Sequence, residues 1–306
     1  MFRIIKETNI DFIGHRRKAF LLSALLMILG LTAFTMIILN KANMGIDFVG
    51  GTMLQGNFEN AINIADLRNA ITSEFPEASI QELERHNVPN SYIIRVKETK
   101  AGDQKAVDRL IEIISARFEG NTFTRDSEHM IGPAVGESLR ASARWAVLIS
   151  VIGLIIYIWF RFDFRSGIAA TVATFHDVLA VLGIFMILDK EITLLVVTAL
   201  LTLAGYSLTD TVVVYDRIRE NLKKFRKKGQ FVETVNSSIN EVLSRTVMTS
   251  LTSLLVAGTL FFFGGEVLHD FSLALILGII IGTYSSIFVA SPIVVEWEAK
   301  SPRRFK

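Results

Sequence analysis

The 306-residue sequence contains no cysteine. Disulfides, thiolate metal centres and a cysteine nucleophile are therefore excluded. Its five histidines are scattered without the spacing of metal ligands, so no metal site is expected. Charge is scarce too. Asp, Glu, Lys and Arg make up 20% of the residues, and they cluster between long apolar runs. What fills the remainder is hydrophobic: 51% of residues are apolar and the mean hydropathy is +0.43, both above an ordinary soluble domain. The net charge of +2 decides little, because in such a chain the distribution of charge between segments carries the information.

About 20 apolar residues are needed for a helix to cross the hydrocarbon core of a bilayer. Six stretches qualify: 19–39, 143–160, 167–188, 192–215, 246–265 and 271–295. The second is short, but Arg144 can snorkel, and Trp145, Tyr157 and Trp159 suit the interfaces. The first is too long for the apolar core of a cleaved signal peptide, and no small-x-small site follows Asn40, so a retained signal anchor is expected.

Lys and Arg near the span ends set direction. Arg16, Arg17 and Lys18 precede the first span, which puts segment 1–18 in the cytoplasm. Alternation then places inside Arg161 and Arg165, the basic loop 216–245 with eight cations against four acids, and the tail 296–306 with Lys300, Arg303, Arg304 and Lys306. The outer turns hold a single Lys190. Residues 40–142 carry 11 cations and 15 acids, a net of −4, and fall outside. Every loop agrees with six spans and two cytoplasmic ends. The run from Arg217 to Lys228 fits topology and anionic lipid, or contact with a cytoplasmic partner or ribosome; nucleic-acid binding is not expected of so short a loop.

The 40–142 segment is long enough to fold by itself. Strands are predicted at 52–58, 79–85, 91–97 and 121–130, and helices at 64–75, with Asn63 as N-cap, and 103–118. An Asn87–Asn90 turn with Pro89 separates the middle strands. The order β-α-β-β-α-β is that of a ferredoxin-like fold. The chain therefore reads as a polytopic α-helical membrane protein with one α+β external (periplasmic) domain between its first two spans.

Ionisable groups inside a bilayer cost several kcal/mol and mark function by default. His176 and Asp177 lie in the third span and Asp210 in the fourth. Thr198, Thr202, Tyr206 and Asp210 recur every four residues, a polar stripe expected to face the bundle interior. Arg245 opens the fifth span, followed by Thr246, Thr249, Ser250, Thr252 and Ser253, and reaches Asp210 if the inner ends pack together. Burial disfavours a charged carboxylate and a guanidinium favours it, so a movable Arg beside an Asp makes proton binding depend on conformation. The alternative is a buried carboxylate that only holds helices together, a reading that weighs more for Asp177 than for Asp210. Asp216, at the boundary, reads as a partner of nearby cations. Gly278, Gly282 and Ser286 form a small-xxx-small ridge for packing.

At several of these positions the chain resembles the SecF family. The run Gly205-Tyr206-Ser207-Leu208-Thr209-Asp210-Thr211 through Asn221 is similar to the family's fourth-helix signature. The segment Gly45-Ile46-Asp47-Phe48-Val49-Gly50-Gly51-Thr52 resembles the motif after its first helix, Ser244-Arg245-Thr246 the start of its fifth, and Gly282–Ser291 its sixth. Thr209 departs from the expected Asn and leaves a hydroxyl beside Asp210. The resemblance implies an accessory, non-enzymatic subunit of the Sec preprotein translocase. In it the chain pairs with SecD as half of a twelve-helix unit of the resistance-nodulation-division type. That unit assists the SecYEG channel after the SecA-driven steps, with YajC and YidC as further partners, in the bacterial cytoplasmic (inner) membrane. It uses the proton motive force on a translocating preprotein and needs no cofactor. The resemblance also implies a proton relay of Asp210 and Arg245; we add Asp177, His176, Tyr206 and Thr209 as candidates from their position in the spans. A half-unit of another exporter of that type is the alternative. An intramembrane aspartyl protease using Asp177 and Asp210 fits poorly, because Ser-Leu-Thr precedes Asp210 and Tyr215-Asp216 sits at a boundary.

Overall fold

In a computed structural model, residues 8–83, 89–97, 104–224 and 230–301 are described. Parts of the turn expected at 87–90, of the basic run and of the C-terminal tail, together with Glu98, lie outside them. The elements in chain order are α1 (Arg16–Ile38), α2 (Ile46–Val49), β1 (Gly51–Phe58), α3 (Ile64–Thr72), β2 (Ser79–Leu83), β3 (Ser91–Val96), α4 (Gln104–Arg117) and β4 (Phe123–Ile131). Then follow α5 (Pro133–Arg161), α6 (Phe164–Ile187), α7 (Leu194–Lys224), α8 (Phe231–Phe263), α9 (Gly265–Ser285), a π turn (Ser286–Ala290) and α10 (Ser291–Lys300). Among the described residues, six helices are long and apolar enough to cross a membrane: α1, α5, α6, α7, α8, and α9 continued through α10. The chain is a multi-pass membrane protein.

Two compact units form. The sheet unit holds Met44–Ala146 and, returning from far along the chain, Glu191–Leu194. Its antiparallel sheet has the order β2-β3-β1-β4. Asn63 caps α3 as its sequence suggests, accepting from the Ala65 amide at 2.9 Å. The apolar faces of α3 and α4 supply Leu67, Ile71, Val107, Leu110 and Ile114 to a core completed by Leu54, Phe58, Tyr92 and Ile94. Phe58 packs edge-on against Tyr92 and Phe118, with centroids 5.7 and 5.3 Å away.

Tyr92 is buried and its hydroxyl donates to the Ile62 carbonyl at 3.2 Å. Burial, and secondarily the Glu82 charge, push its phenol above the usual 10.0. A raised acid pKa stabilises the fold below the unfolded value and is lost as pH climbs through it. Stability is therefore expected to decline above about pH 10, and Tyr92→Phe to remove that part of the decline. Urea unfolding in detergent at about pH 9 and about pH 11 checks this.

In the helical unit, about half or more of the α6, α7 and α9–α10 spans is buried, against under a fifth of α1, α5 and α8. The rim helices leave Leu21, Leu25, Ile149, Trp159 and Phe160 exposed, as lipid-facing surface requires. Helix α1 buries only small residues, Ala19, Ser23, Gly30 and Ala33. At its crossing with α6, a Cβ on Gly183 would lie 2.8 Å from the Gly30 amide nitrogen. The 278–286 ridge is spent inside the chain: a Cβ on Gly278 would strike the Leu203 side chain at 2.4 Å, and one on Gly282 would meet Ser207 at 3.2 Å.

Two expectations change. Segment 216–245, read as a loop, is helical to Lys224 and again from Phe231. Its charges are compatible with helix because Arg217 pairs with Glu220 and Glu241, Lys224 pairs with Glu220, and Asn221 bonds Ser238 across the hairpin at 3.0 Å. Asp216 pairs with Arg161. Sequence 271–295, read as one uniform span, contains the π turn. Pro292 has no N–H to offer the preceding turn and its ring crowds that carbonyl, which widens the helix there. Tyr215 of α7 donates to the Ala290 carbonyl at 2.9 Å. Near the N-terminus, Asn236 and Asn240 of α8 clasp the backbone of Ile10, Phe12 and Ile13 through bonds of 2.8–3.2 Å.

Candidate functional site: buried carboxylates of the helix bundle

Two central helices each carry a carboxylate into the apolar interior. Asp210 of α7 is 6% exposed. Its Oδ2 has no hydrogen-bond partner among the described residues, and neither do the buried hydroxyls of Thr211 and Thr246. Arg245 is exposed at the face of α8, and it forms no ion pair with Asp210 within 4.0 Å among the described residues. Leaving a buried polar atom unmatched costs about 1–3 kcal/mol, so the arrangement is a costly one for a purely structural carboxylate.

Asp177 is bound differently. It is fully buried, with His176 Nδ1 2.8 Å from Oδ1 and the Ser207 hydroxyl donating to Oδ2. Both of its oxygens are engaged, which ties α6 to α7. His176 Nε2 has no partner among the described residues. Ser207 and Asp210 are three residues apart on one helix, so the two carboxylate sites stand about 4.5 Å apart along α7. Asp177 thus lacks the accessibility that an aspartyl protease requires of both carboxylates.

The stripe on α7 does not run wholly inward as expected. Thr198 and Thr202 are exposed, Tyr206 is half-buried and only Asp210 is buried. The physical reason is that a helix can satisfy such hydroxyls itself: Thr202 donates to the Thr198 carbonyl at 2.9 Å and Thr209 to that of Gly205 at 2.9 Å. Thr209 is exposed. Tyr206 instead donates to Ser250 at 3.2 Å, and Ser250 meets Thr283 at 2.6 Å, a hydroxyl chain across α7, α8 and α9. Alongside it a cavity of about 400 Å³ is lined by Thr202, Tyr206, Thr252, Ser253, Leu260 and Ile279. The roles of Ser207 and Thr283 were missed from sequence; the four-residue step from Leu203 to Ser207, opposite Gly278 and Gly282, is the signal that was available.

The glycine-rich motif after α1 lies in the sheet unit. Gly45 donates to the Ile192 carbonyl at 2.9 Å, Asp47 accepts from the Leu194 amide at 2.8 Å, and Phe48 is buried. Gly50 and Gly51 turn the chain into β1 at φ +80° and +146°, values that exclude larger side chains.

Six spans, an antiparallel sheet unit and an unmatched carboxylate in the bundle define a multi-pass membrane protein with a polar centre. The profile of the family described as protein export membrane protein SecD/SecF, C-terminal, matches residues 112–300. The chain belongs to the SecD/SecF protein export family. It is 50% identical over 298 residues to the protein translocase subunit SecF of Thermodesulfovibrio yellowstonii, covering 96% of this chain and 97% of that one. With SecF of Endomicrobium trichonymphae it shares 40% identity over 305 residues, 99% of this chain and 96% of the other. The crystal structure of SecDF, a translocon-associated membrane protein from Thermus thermophilus, superposes with a TM-score of 0.80 at 36% identity. That match covers 96% of this chain and 39% of the SecDF chain, so the chain spans well under half of SecDF.

Proposed function

We propose that this chain is a SecF-type accessory subunit of the Sec preprotein translocase. It works beside a SecD-like subunit, spends the proton motive force on export across the bacterial cytoplasmic membrane after the SecA-driven steps, and carries out no enzymatic reaction. The observation that carries the proton role is Asp210: buried in the bundle, with an oxygen that has no hydrogen-bond partner among the described residues. One charge crossing the membrane gains about 2.3 kcal/mol per 100 mV, so a few protons per cycle can drive a domain motion. Tyr206 and its hydroxyl chain are the route toward Asp210 from the outer side; Asp177 with His176 is the neighbouring site, and Thr209 makes no bond across helices among the described residues. No cofactor is required.

The SecD-like partner is supported by the SecDF match, in which this chain covers only 39% of a single SecDF chain. The Gly278 and Gly282 ridge packs within the chain, against Leu203 and Ser207, and offers no partner surface. The cavity between α7 and α8, with its exposed Thr202, is the better candidate surface. SecYEG, YajC, YidC and anionic lipid complete the proposed surroundings. The sheet unit has the strand order of a ferredoxin-like domain and belongs on the periplasmic side, with both ends of the chain inside. Reporter fusions at Glu98 are expected to read outside, and those at Lys228 and Lys306 inside; an inside reading at Glu98 would overturn this topology. The function is tested in membrane vesicles depleted of the chain. They are expected to lose the gradient-dependent part of preprotein export and to regain it only when the chain is supplied together with its SecD-like partner. Full recovery with the chain alone would refute the pairing.

A further inference from the structure

The motif Gly45–Gly51 has no part in the proton chemistry, yet it reaches across the chain to Ile192 and Leu194. The short helix α2 is held by three neighbours. At one side it leads directly into β1. At another, Arg140 of α5 donates to the Phe48 carbonyl at 2.7 Å, and Gly136 admits the close approach because a Cβ there would lie 3.1 Å from the Gly50 nitrogen. At the third stands the turn Glu191–Leu194. Met44 and Ile192 form a parallel bridge, and Gly45 donates to the Ile192 carbonyl. A Cβ on Gly45 would come within 2.9 Å of Thr193 Cγ2. Glu191, buried, pairs with Arg95 of β3 at 3.7 Å. Finally, Asp47 Oδ2 accepts the Leu194 amide.

Leu194 is the first residue of α7. The first amides of a helix lack intrahelical acceptors and carry the positive end of its dipole, so a carboxylate there both caps and anchors it. From Leu194 the helix runs without proline to Asp210, 16 residues and about 24 Å along its axis. An uninterrupted helix passes an axial shift or rotation along its length as one body.

We propose that Asp47 is a positioning residue that fastens the start of α7 to the sheet unit, so that a displacement of α7 accompanying protonation of Asp210 is delivered to the sheet. This rests on the proton role proposed above for Asp210. The effect of Asp47 is exerted through the Leu194 amide. It requires a hydrogen-bond acceptor of short reach at position 47, and a negative charge is secondary.

The test uses the full chain assembled with its SecD-like partner in vesicles, with Asp47→Ala, Asp47→Asn and Asp47→Ser. Losing a cap is expected to speed amide exchange over residues 193–198 by about 2- to 30-fold in Asp47→Ala. The same variant is expected to lose gradient-dependent export while the gradient-independent part stays at the wild-type level. Asn and Ser accept the same bond and are expected to restore both readings. Faster exchange with full gradient dependence would reduce Asp47 to a stabilising cap and overturn the proposal. Unchanged exchange, or failure of Asn and Ser as complete as that of Ala, overturns it as well. Should Asp47→Ala not assemble, the Asn and Ser variants decide: retained gradient dependence supports the proposal and its loss refutes it. Asp210→Asn measured alongside separates the two ideas. Full gradient dependence in Asp210→Asn removes the proton role, whereas full gradient dependence in Asp47→Ala removes only the coupling.

Discussion

Vesicles carrying Asp210→Asn are expected to export preprotein at the same rate with and without an imposed proton gradient, a rate equal to that of wild type without one. Asparagine keeps the shape and the hydrogen-bonding capacity of the side chain but cannot exchange a proton, so assembly should be intact while the driving step is absent. Asp210 is buried and has an unmatched oxygen, and its substitution leaves no broken bond among the described residues. Asp210→Glu keeps an ionisable group and is expected to retain part of the gradient response. Arg245→Ala is expected to weaken the response without removing it, because Arg245 is exposed and forms no ion pair with Asp210 among the described residues. Export from inverted vesicles, with variants first shown to assemble, provides the measurement. Wild-type gradient dependence in Asp210→Asn would make it a structural carboxylate.

The second large effect is expected at the crossing of α1 and α6. Lipid tails are as apolar as leucine, so helices in a membrane hold together by close packing more than by exclusion of water. Gly30 and Gly183 allow backbone to touch backbone. A Cβ on Gly183 meets the Gly30 nitrogen at 2.8 Å and Leu29 backbone carbon at 2.9 Å, and one on Gly30 meets the Leu179 carbonyl oxygen at 2.3 Å. No rotamer relieves a clash with backbone. Gly183→Leu is therefore expected to force α1 away, at the upper end of the roughly 1–3 kcal/mol typical of overpacking or beyond it. Thermal unfolding of the purified chain in detergent should shift down sharply or give no cooperative transition. Gly153→Leu is the control, since a Cβ there meets nothing within 4 Å. Equal melting of the two variants would show that the α1–α6 contact contributes nothing.

Much of this architecture was legible in the sequence because it depends on local or one-dimensional signals. Hydropathy marks the spans, since each must satisfy its own backbone in lipid. Asn63 ahead of Ile64 announces a cap, and Asp210 stands out as a charge in an apolar run. The missing parts depend on pairings that no local pattern encodes. Ser207 grips Asp177 from 30 residues away, and Asp47 reaches Leu194 across 147. Both involve common polar residues whose partners are chosen by the fold. The α7 stripe was misdirected because a four-residue period fixes a shared face without saying which way that face turns. The charges of 216–245 carry topology and helix at once: the i,i+3 and i,i+4 pairs among them support helix, which a count of cations does not show. Pro292 marks the place of the π turn, because its missing N–H and its ring disturb the turn that precedes it.

The clasp of Asn236 and Asn240 on Ile10, Phe12 and Ile13 has a consequence for biosynthesis. The two sides are separated by 223 to 230 residues. At the usual pace of about 5–20 residues per second, roughly 10–45 s of translation separate residues 10–13 from their partners on α8. Throughout that interval, the backbone of residues 10–13 must find water, lipid headgroups or a chaperone in place of its final partners. Residues 10–13 therefore settle only once the start of α8 has been made, with α9 and α10 still to follow.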